Sequence, residues 1–211
     1  INTFCIYISG KEWYTMYIRR TMEMKDIYLV NYSVKGIKTL DQLVSLSFYK
    51  KIISKDPETQ DYNIKGIYGM NGSGKSGIVT SVEILRNILT NPGYLNNPIA
   101  QKNLDAMVNK KLGQLYIEAE YLVKVKTKLY LYRYDVTLTR DMTGKYVISS
   151  ENLDIRKATS KSQVTEKIFH IVNGEIEFLW GQDTESSLSA LILNKTMNLL
   201  SIPVSYTHLT L

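Results

Sequence analysis

The feature that most constrains this chain is the octapeptide formed by residues 69–76, which reads G-M-N-G-S-G-K-S. It matches the pattern G-x-x-x-x-G-K-[ST] at every fixed position, and that pattern describes a loop that surrounds phosphate groups with backbone N–H groups. At ordinary residue frequencies, a chance match in a chain of this length has odds of about one in a hundred. We therefore interpret residues 69–77 as a phosphate loop; the alternative is a chance glycine turn that ends in Lys75-Ser76.

Each residue type in the loop has a predicted role. Glycines permit a tight turn and leave room for phosphate oxygens beside the backbone, and N–H groups at the start of the following helix attract anions. Lys75 is the predicted catalytic residue, a cation for the β- and γ-phosphates, and Ser76 is the predicted ligand of Mg²⁺. The predicted nucleotide-binding residues are Gly69, Met70, Asn71, Gly72, Ser73, Gly74, Lys75, Ser76 and Gly77.

The segments that flank the loop suit this interpretation. Residues 63–68 predict a short strand, and residues 75–89 predict a helix with an apolar stripe of Ile78, Val82, Leu85 and Leu89. A strand, a glycine-rich loop and a helix are the arrangement that the motif requires. A second helix is predicted over residues 98–112, with Asn97 as its N-cap and Gly113 as its stop.

Alternating apolar and polar residues predict antiparallel strands through most of the remaining chain. These strands cover residues 27–37, 43–54, 115–125, 130–138, 145–149, 168–172 and 175–179. Asn173-Gly174 is a strong signal for a two-residue hairpin turn. That turn would place Phe169 opposite Phe178 and His170 opposite Glu177. A final helix is predicted over residues 187–202.

Hydrolysis of a nucleotide needs a further group, a carboxylate at the end of a buried strand that holds Mg²⁺ and polarises water. Asp135 and Asp154 follow alternating runs of residues, whereas a buried parallel strand would show a continuous apolar run. We therefore expect the hydrolytic carboxylate to lie beyond the end of this chain, and the chain alone to be nearly inactive.

Both ends of the chain look foreign to the protein. Residues 204–211 match the in-frame translation of an adapter used in transposon-based sequencing libraries, so we expect them to play no part in the fold. Residues 1–23 are interpreted as an untranslated leader, with a start at Met22 or Met24. A truncated gene and a genuine N-terminal arm are the alternatives. The domain itself is predicted to span residues 24–203.

Composition narrows the function classes. The net charge of +6 permits contact with DNA but does not require it. One cysteine, Cys5, and two histidines argue against disulfides and zinc sites. The sparse use of cysteine fits a reducing cytoplasm. No apolar run approaches the length of a membrane span, so no contact with a membrane is expected.

Several segments together carry a resemblance to a known group of proteins. The loop residues 68–76 contain the core N-G-S-G-K-S, and residues 31–35 are similar to an N-F-[RK]-S segment with its basic residue displaced. Residues 132–134 and 148–153 resemble a Y-x-Y and an I-x-x-E-x-L pattern, which are followed by a hairpin like that at residues 168–174. With these features the chain resembles the ABC-type ATPase heads of the SMC/RecF/OLD group, the bacterial "AAA family ATPases" of the anti-phage or abortive-infection type.

The resemblance implies a fold and a function. The implied fold class is α/β, the N-terminal lobe of an ABC-ATPase-like phosphate-loop NTPase with an antiparallel β-subdomain. The implied activity is ATP binding and hydrolysis with Mg²⁺ in DNA maintenance or phage defence, between two heads of a homodimer. Gln163 and Gln182 are candidates for the glutamine between the lobes.

Two other functions remain open. One is an ATP-sensing module that does not hydrolyse ATP and controls a nuclease or other effector. The other is the nucleotide-binding subunit of a membrane transporter, which the long segment after the first helix argues against. DNA and an effector protein are the candidate partners.

Overall fold

The computed structural model describes residues 27–48, 65–125, 128–158 and 164–179. Its main element is a seven-stranded antiparallel sheet with strand order β2-β1-β3-β4-β5-β6-β7. The strands are β1 (Ile27–Lys35), β2 (Val44–Ser47), β3 (Gln114–Val125), β4 (Lys128–Arg140), β5 (Tyr146–Lys157), β6 (Glu166–Val172) and β7 (Glu175–Leu179). Two α-helices, α1 (Lys75–Thr90) and α2 (Pro98–Met107), lie between β2 and β3 in the chain, and a 3₁₀ turn at Tyr94–Asn96 separates them.

The predicted α/β fold class is wrong. Each strand of the sheet pairs antiparallel with its neighbours. In the described residues two α-helices accompany seven strands, so the architecture there is close to all-β. The predicted strand before the loop is also missing, because residues 65–68 form no regular structure; residues 63 and 64 lie outside the described part. The period-two runs that were expected to form a subdomain build the whole sheet instead.

The hydrophobic core lies between the sheet and α1. Val34, Ile117, Ala119, Val136 and Leu138 are fully buried on neighbouring strands, and they belong to the same apolar cluster as residues of α1. Within α1 the buried residues are Gly77, Ile78, Ser81, Ile84, Leu85 and Ile88. Burying such side chains stabilises the fold by roughly 1.5–3 kcal/mol for each large apolar group.

Both helices begin where the sequence predicts, but details differ. In α1 the buried face is rotated from the predicted stripe, since Val82 is 42% exposed and Ser81 is buried. The Asn97 side chain accepts a hydrogen bond from the Ile99 N–H, which confirms the N-cap of α2. The helix ends at Met107 rather than at residue 112, because Val108 turns away to form a β-bridge with Ile37.

The seven strands predicted from alternating residues are found, but their bounds differ: β1 ends at Lys35, and β5 extends to Lys157, well beyond the predicted end at residue 149. Residues 49–54 of the second predicted strand lie outside the described part. Asn173 and Gly174 both have positive φ, as the predicted two-residue turn requires. The predicted register beyond this turn is wrong, because a bulge places His170 opposite Phe178 and Phe169 opposite Leu179. The extra residue is Glu177, whose carboxylate still lies 3.2 Å from His170 Nε2.

Several predictions fall outside the described residues. They concern the leader at residues 1–23, the adapter-like residues 204–211, the helix at 187–202, Gln163 and Gln182. In the part of the chain that the structure describes, no helix is long and apolar enough to cross a membrane.

Candidate phosphate-binding site

The phosphate loop leads directly into α1. Gly72 and Gly74 have φ values of 82° and 90°, in the left-handed region that side chains with a Cβ disfavour. A Cβ on Gly74 would lie 2.6 Å from Leu40 Cδ2, whereas a Cβ on Gly72 would meet nothing within 4 Å. Glycine at 74 is therefore required by both conformation and space, and glycine at 72 by conformation alone.

The backbone of the loop presents unpaired donors. The Ser73 N–H donates to the Met70 carbonyl and the Gly77 N–H to the Gly74 carbonyl. The N–H groups of Gly74, Lys75 and Ser76 have no hydrogen-bond acceptor in the described part of the chain. They lie at the N-terminus of a 16-residue helix, where the helix dipole and unpaired N–H groups favour a bound anion.

The Lys75 side chain folds back over the loop. Its Nζ donates to the carbonyl oxygens of Gly69 and Met70, each at 2.6 Å. These acceptors are exposed groups that phosphate oxygens could replace, since charge-assisted hydrogen bonds to an anion are the stronger ones. The predicted role of Lys75 as a phosphate ligand is compatible with this position, and it stays a prediction.

Ser76 is already engaged by a residue that sequence analysis missed. The Lys38 Nζ donates to Ser76 Oγ over 3.1 Å. The neighbouring Thr39 hydroxyl donates to the Gly72 carbonyl over 3.1 Å, and Leu40 packs against Gly74. The turn at residues 36–40 after β1 therefore forms a second wall of the site.

This second wall is fixed by the end of α2. Lys38 has a φ of 49°, its N–H donates to the Met107 carbonyl over 2.7 Å, and its carbonyl accepts from Asn109 Nδ2 over 2.7 Å. The Asn109 N–H also donates to the Gly36 carbonyl. These contacts join residues about seventy positions apart, so local sequence patterns do not reveal them.

The two candidate carboxylates lie elsewhere on the sheet. Asp154 pairs with Arg133 at 2.6 Å, and Asp135 accepts from Asn152 Nδ2. Burial, and to a lesser degree the nearby Glu118, raises the pKa of Asp135. In the described part of the chain, no carboxylate bonds to Lys75 or Ser76, and no group of three or more potential ligands could hold a metal ion.

The Ser76 hydroxyl nevertheless suits Mg²⁺ in a nucleotide complex. Magnesium keeps several waters and binds through one or two protein groups plus phosphate oxygens, so it does not need a cage built entirely from protein. An exposed hydroxyl at the first turn of α1, beside free N–H groups, fits that pattern.

No protein-family profile matches this chain, and no curated protein is significantly similar to it. The resemblance to ABC-type ATPase heads therefore stays a prediction that rests on the motifs themselves.

Proposed function

We propose that residues 69–77 bind the triphosphate of ATP together with Mg²⁺. The observation that carries this proposal is the pair of left-handed glycines, beside which the N–H groups of residues 74–76 have no acceptor among the described residues. Backbone donors of this kind, at a helix N-terminus, form an anion-binding nest. Lys75 adds a cation whose present partners are two loop carbonyls.

The residues of the site would divide the work of binding. The N–H groups of Gly74, Lys75 and Ser76 would donate hydrogen bonds to phosphate oxygens. The Lys75 side chain would move from the loop carbonyls to the β- and γ-phosphates, and Ser76 would ligate the metal. Mg²⁺ held by Ser76 would neutralise part of the phosphate charge.

Binding is better supported than hydrolysis. Turnover requires a group that activates water, and the described residues place no carboxylate in contact with Lys75 or Ser76. An ATP-sensing module is thus the form of the proposal that the geometry supports. An ATPase in DNA maintenance or phage defence, dimeric and coupled to an effector, is the second candidate; the resemblance of the motifs favours it.

The test is equilibrium binding of a fluorescent ATP analogue to the full 211-residue chain and to its Lys75→Ala variant. We expect a loss of affinity of about tenfold or more, since a hydrogen bond to a charged group contributes roughly 1.5–3 kcal/mol. Lys102→Ala is the matched control, because Lys102 is an exposed lysine on α2. Circular dichroism would verify that the variants fold.

Undiminished affinity in Lys75→Ala, or equal binding of adenosine and ATP, would contradict the proposal. Phosphate release by the wild-type chain, absent in Lys75→Ala, would favour the ATPase over the sensing module.

A further inference from the structure

Among the described residues, two lysine ammonium groups bond to the phosphate loop: Lys75 belongs to the motif, and Lys38 does not. Lys75 Nζ bonds to the carbonyls of Gly69 and Met70, while Lys38 Nζ bonds to the hydroxyl of Ser76. Ser76 Oγ is the atom that the proposed function assigns to Mg²⁺. The ammonium group of Lys38 therefore stands beside the metal-binding atom.

Lys38 and a metal ion cannot both hold this hydroxyl. Mg²⁺ ligates oxygen at about 2.0–2.1 Å and demands near-ideal octahedral geometry, whereas Lys38 Nζ approaches the same oxygen at 3.1 Å. Two cations on one small oxygen also repel each other. Lys38 Nζ must leave Ser76 Oγ before the metal can ligate it.

The backbone confines Lys38 to the site even when its side chain moves. Its N–H bonds to Met107 at the end of α2, and its carbonyl bonds to Asn109, two residues beyond the helix. The side chain is flexible, with a compact charge at its end. A Cβ on the buried Gly77 would lie 3.6 Å from Lys38 Cδ, so the lysine stem passes close to the first turn of α1. The ammonium group stays within reach of the phosphates after it releases Ser76.

From these contacts we propose that Lys38 substitutes for Mg²⁺ in the phosphate site. This inference rests on the proposed nucleotide binding. Without metal, Lys38 stays beside Ser76 and neutralises the terminal phosphate oxygens, so that the site binds metal-free ATP. With metal, Lys38 withdraws from the hydroxyl and its contribution to affinity falls. Lys38 therefore sets how strongly ATP binding depends on Mg²⁺.

The experiment compares ATP affinity in excess EDTA and in excess Mg²⁺ for the 211-residue wild-type chain and its Lys38→Met variant. In EDTA, we expect the ATP affinity of Lys38→Met to be about tenfold or more below that of the wild type, because one hydrogen bond to a charged group is lost. In Mg²⁺, we expect its affinity to fall by less than about threefold. Lys38→Arg, which keeps the charge, should restore binding in EDTA. Lys102→Met removes a charge from α2 and should change neither affinity.

If Lys38→Met loses equal ATP affinity in both conditions, or loses none in EDTA, the proposed role of Lys38 is overturned while the proposal of nucleotide binding stands. Failure of the wild type to bind ATP in either condition would overturn the proposed function, and this inference with it. If Lys38→Met does not fold, Lys38→Gly provides the same comparison, because glycine accepts the positive φ at this position.

Discussion

At the scale of single residues, two glycines of the phosphate loop have similar backbone angles but differ in the room they leave for a side chain. Gly72 and Gly74 share a left-handed conformation. A side chain on Gly72 would point into open space, whereas one on Gly74 would collide with Leu40. Leu40 belongs to the turn that also supplies Lys38 and Thr39, so the demand on Gly74 comes from the second wall of the site.

Alanine at these two positions should therefore have unequal effects. We expect Gly72→Ala to cost about 1–2 kcal/mol through its left-handed backbone, and Gly74→Ala to cost more and to weaken ATP binding further. Chemical denaturation and ATP titration would measure the two effects. The Gly74→Ala/Leu40→Ala double variant should recover part of the binding, because it removes the collision but not the strain. Equal costs in the two single variants would contradict the steric argument.

At the scale of elements, the site depends on how α1 is attached to the sheet. The Tyr32 hydroxyl of β1 donates to Ser81 Oγ of α1 over 2.7 Å, and Ser81 Oγ donates in turn to the Ile78 carbonyl. Burial raises the pKa of Tyr32, so this hydroxyl remains protonated and able to donate. The bond fixes the rotation of the helix whose first turn carries Lys75 and Ser76.

Tyr32→Phe removes this link without changing the shape of the core. We expect the free energy of unfolding to fall by about 1 kcal/mol, the usual contribution of a buried hydrogen bond, as measured by chemical denaturation. Tyr28→Phe is the control, since Tyr28 lies on the same strand and is partly exposed. An unchanged stability in Tyr32→Phe would show that apolar packing alone holds α1 in place.

The elements also show what the sequence could and could not predict. Period-two patterns located the strands, and Asn97 marked the start of α2, because these signals are local. The prediction of the fold class was wrong because the loop motif was taken to imply a core of parallel strands. Residues 65–68, directly before the loop, form no strand. The position of Lys38 depends on hydrogen bonds to Met107 and Asn109, and the register at His170 depends on a bulge. Neither arrangement has a local pattern.

At the scale of the whole molecule, a row of polar residues crosses six strands of the sheet. Each member lies directly opposite the next, in the order Ser45, Ser33, Glu118, Asp135, Asn152 and His170. Hydrogen bonds join Ser33 to Ser45 and to Glu118, and Asn152 to Asp135. The row places two carboxylates, Glu118 and Asp135, face to face, which is unfavourable when both are ionised.

This arrangement predicts how stability depends on pH. Burial first, and then Glu118 and Asp154, raise the pKa of Asp135 above its ordinary value of 3.8, while Asn152 and Arg133 oppose the rise. A carboxyl whose pKa is higher in the folded state destabilises the fold once it is ionised. That cost is absent below the ordinary pKa, develops as pH rises from the ordinary pKa to the raised one, and is fully present above the raised one. Asp135→Asn should remove it.

We expect Asp135→Asn to be more stable than the wild type at pH 7, by about 1 kcal/mol or less. This advantage should be lost as pH falls from the raised pKa of the folded state to 3.8, the ordinary pKa of the carboxyl. Asp141→Asn is the matched control, because it removes the same charge from a turn in which hydrogen bonds, first from the Thr143 side chain, lower the pKa of Asp141. The stability change in Asp141→Asn should have the opposite sign. This variant should be less stable than the wild type at pH 7, and the difference should shrink as acid protonates the wild-type carboxylate. Denaturation curves from pH 3 to 8 would measure both. If the stability difference between Asp135→Asn and the wild type is constant over that range, ionisation of Asp135 does not destabilise the fold as its place in the polar row predicts.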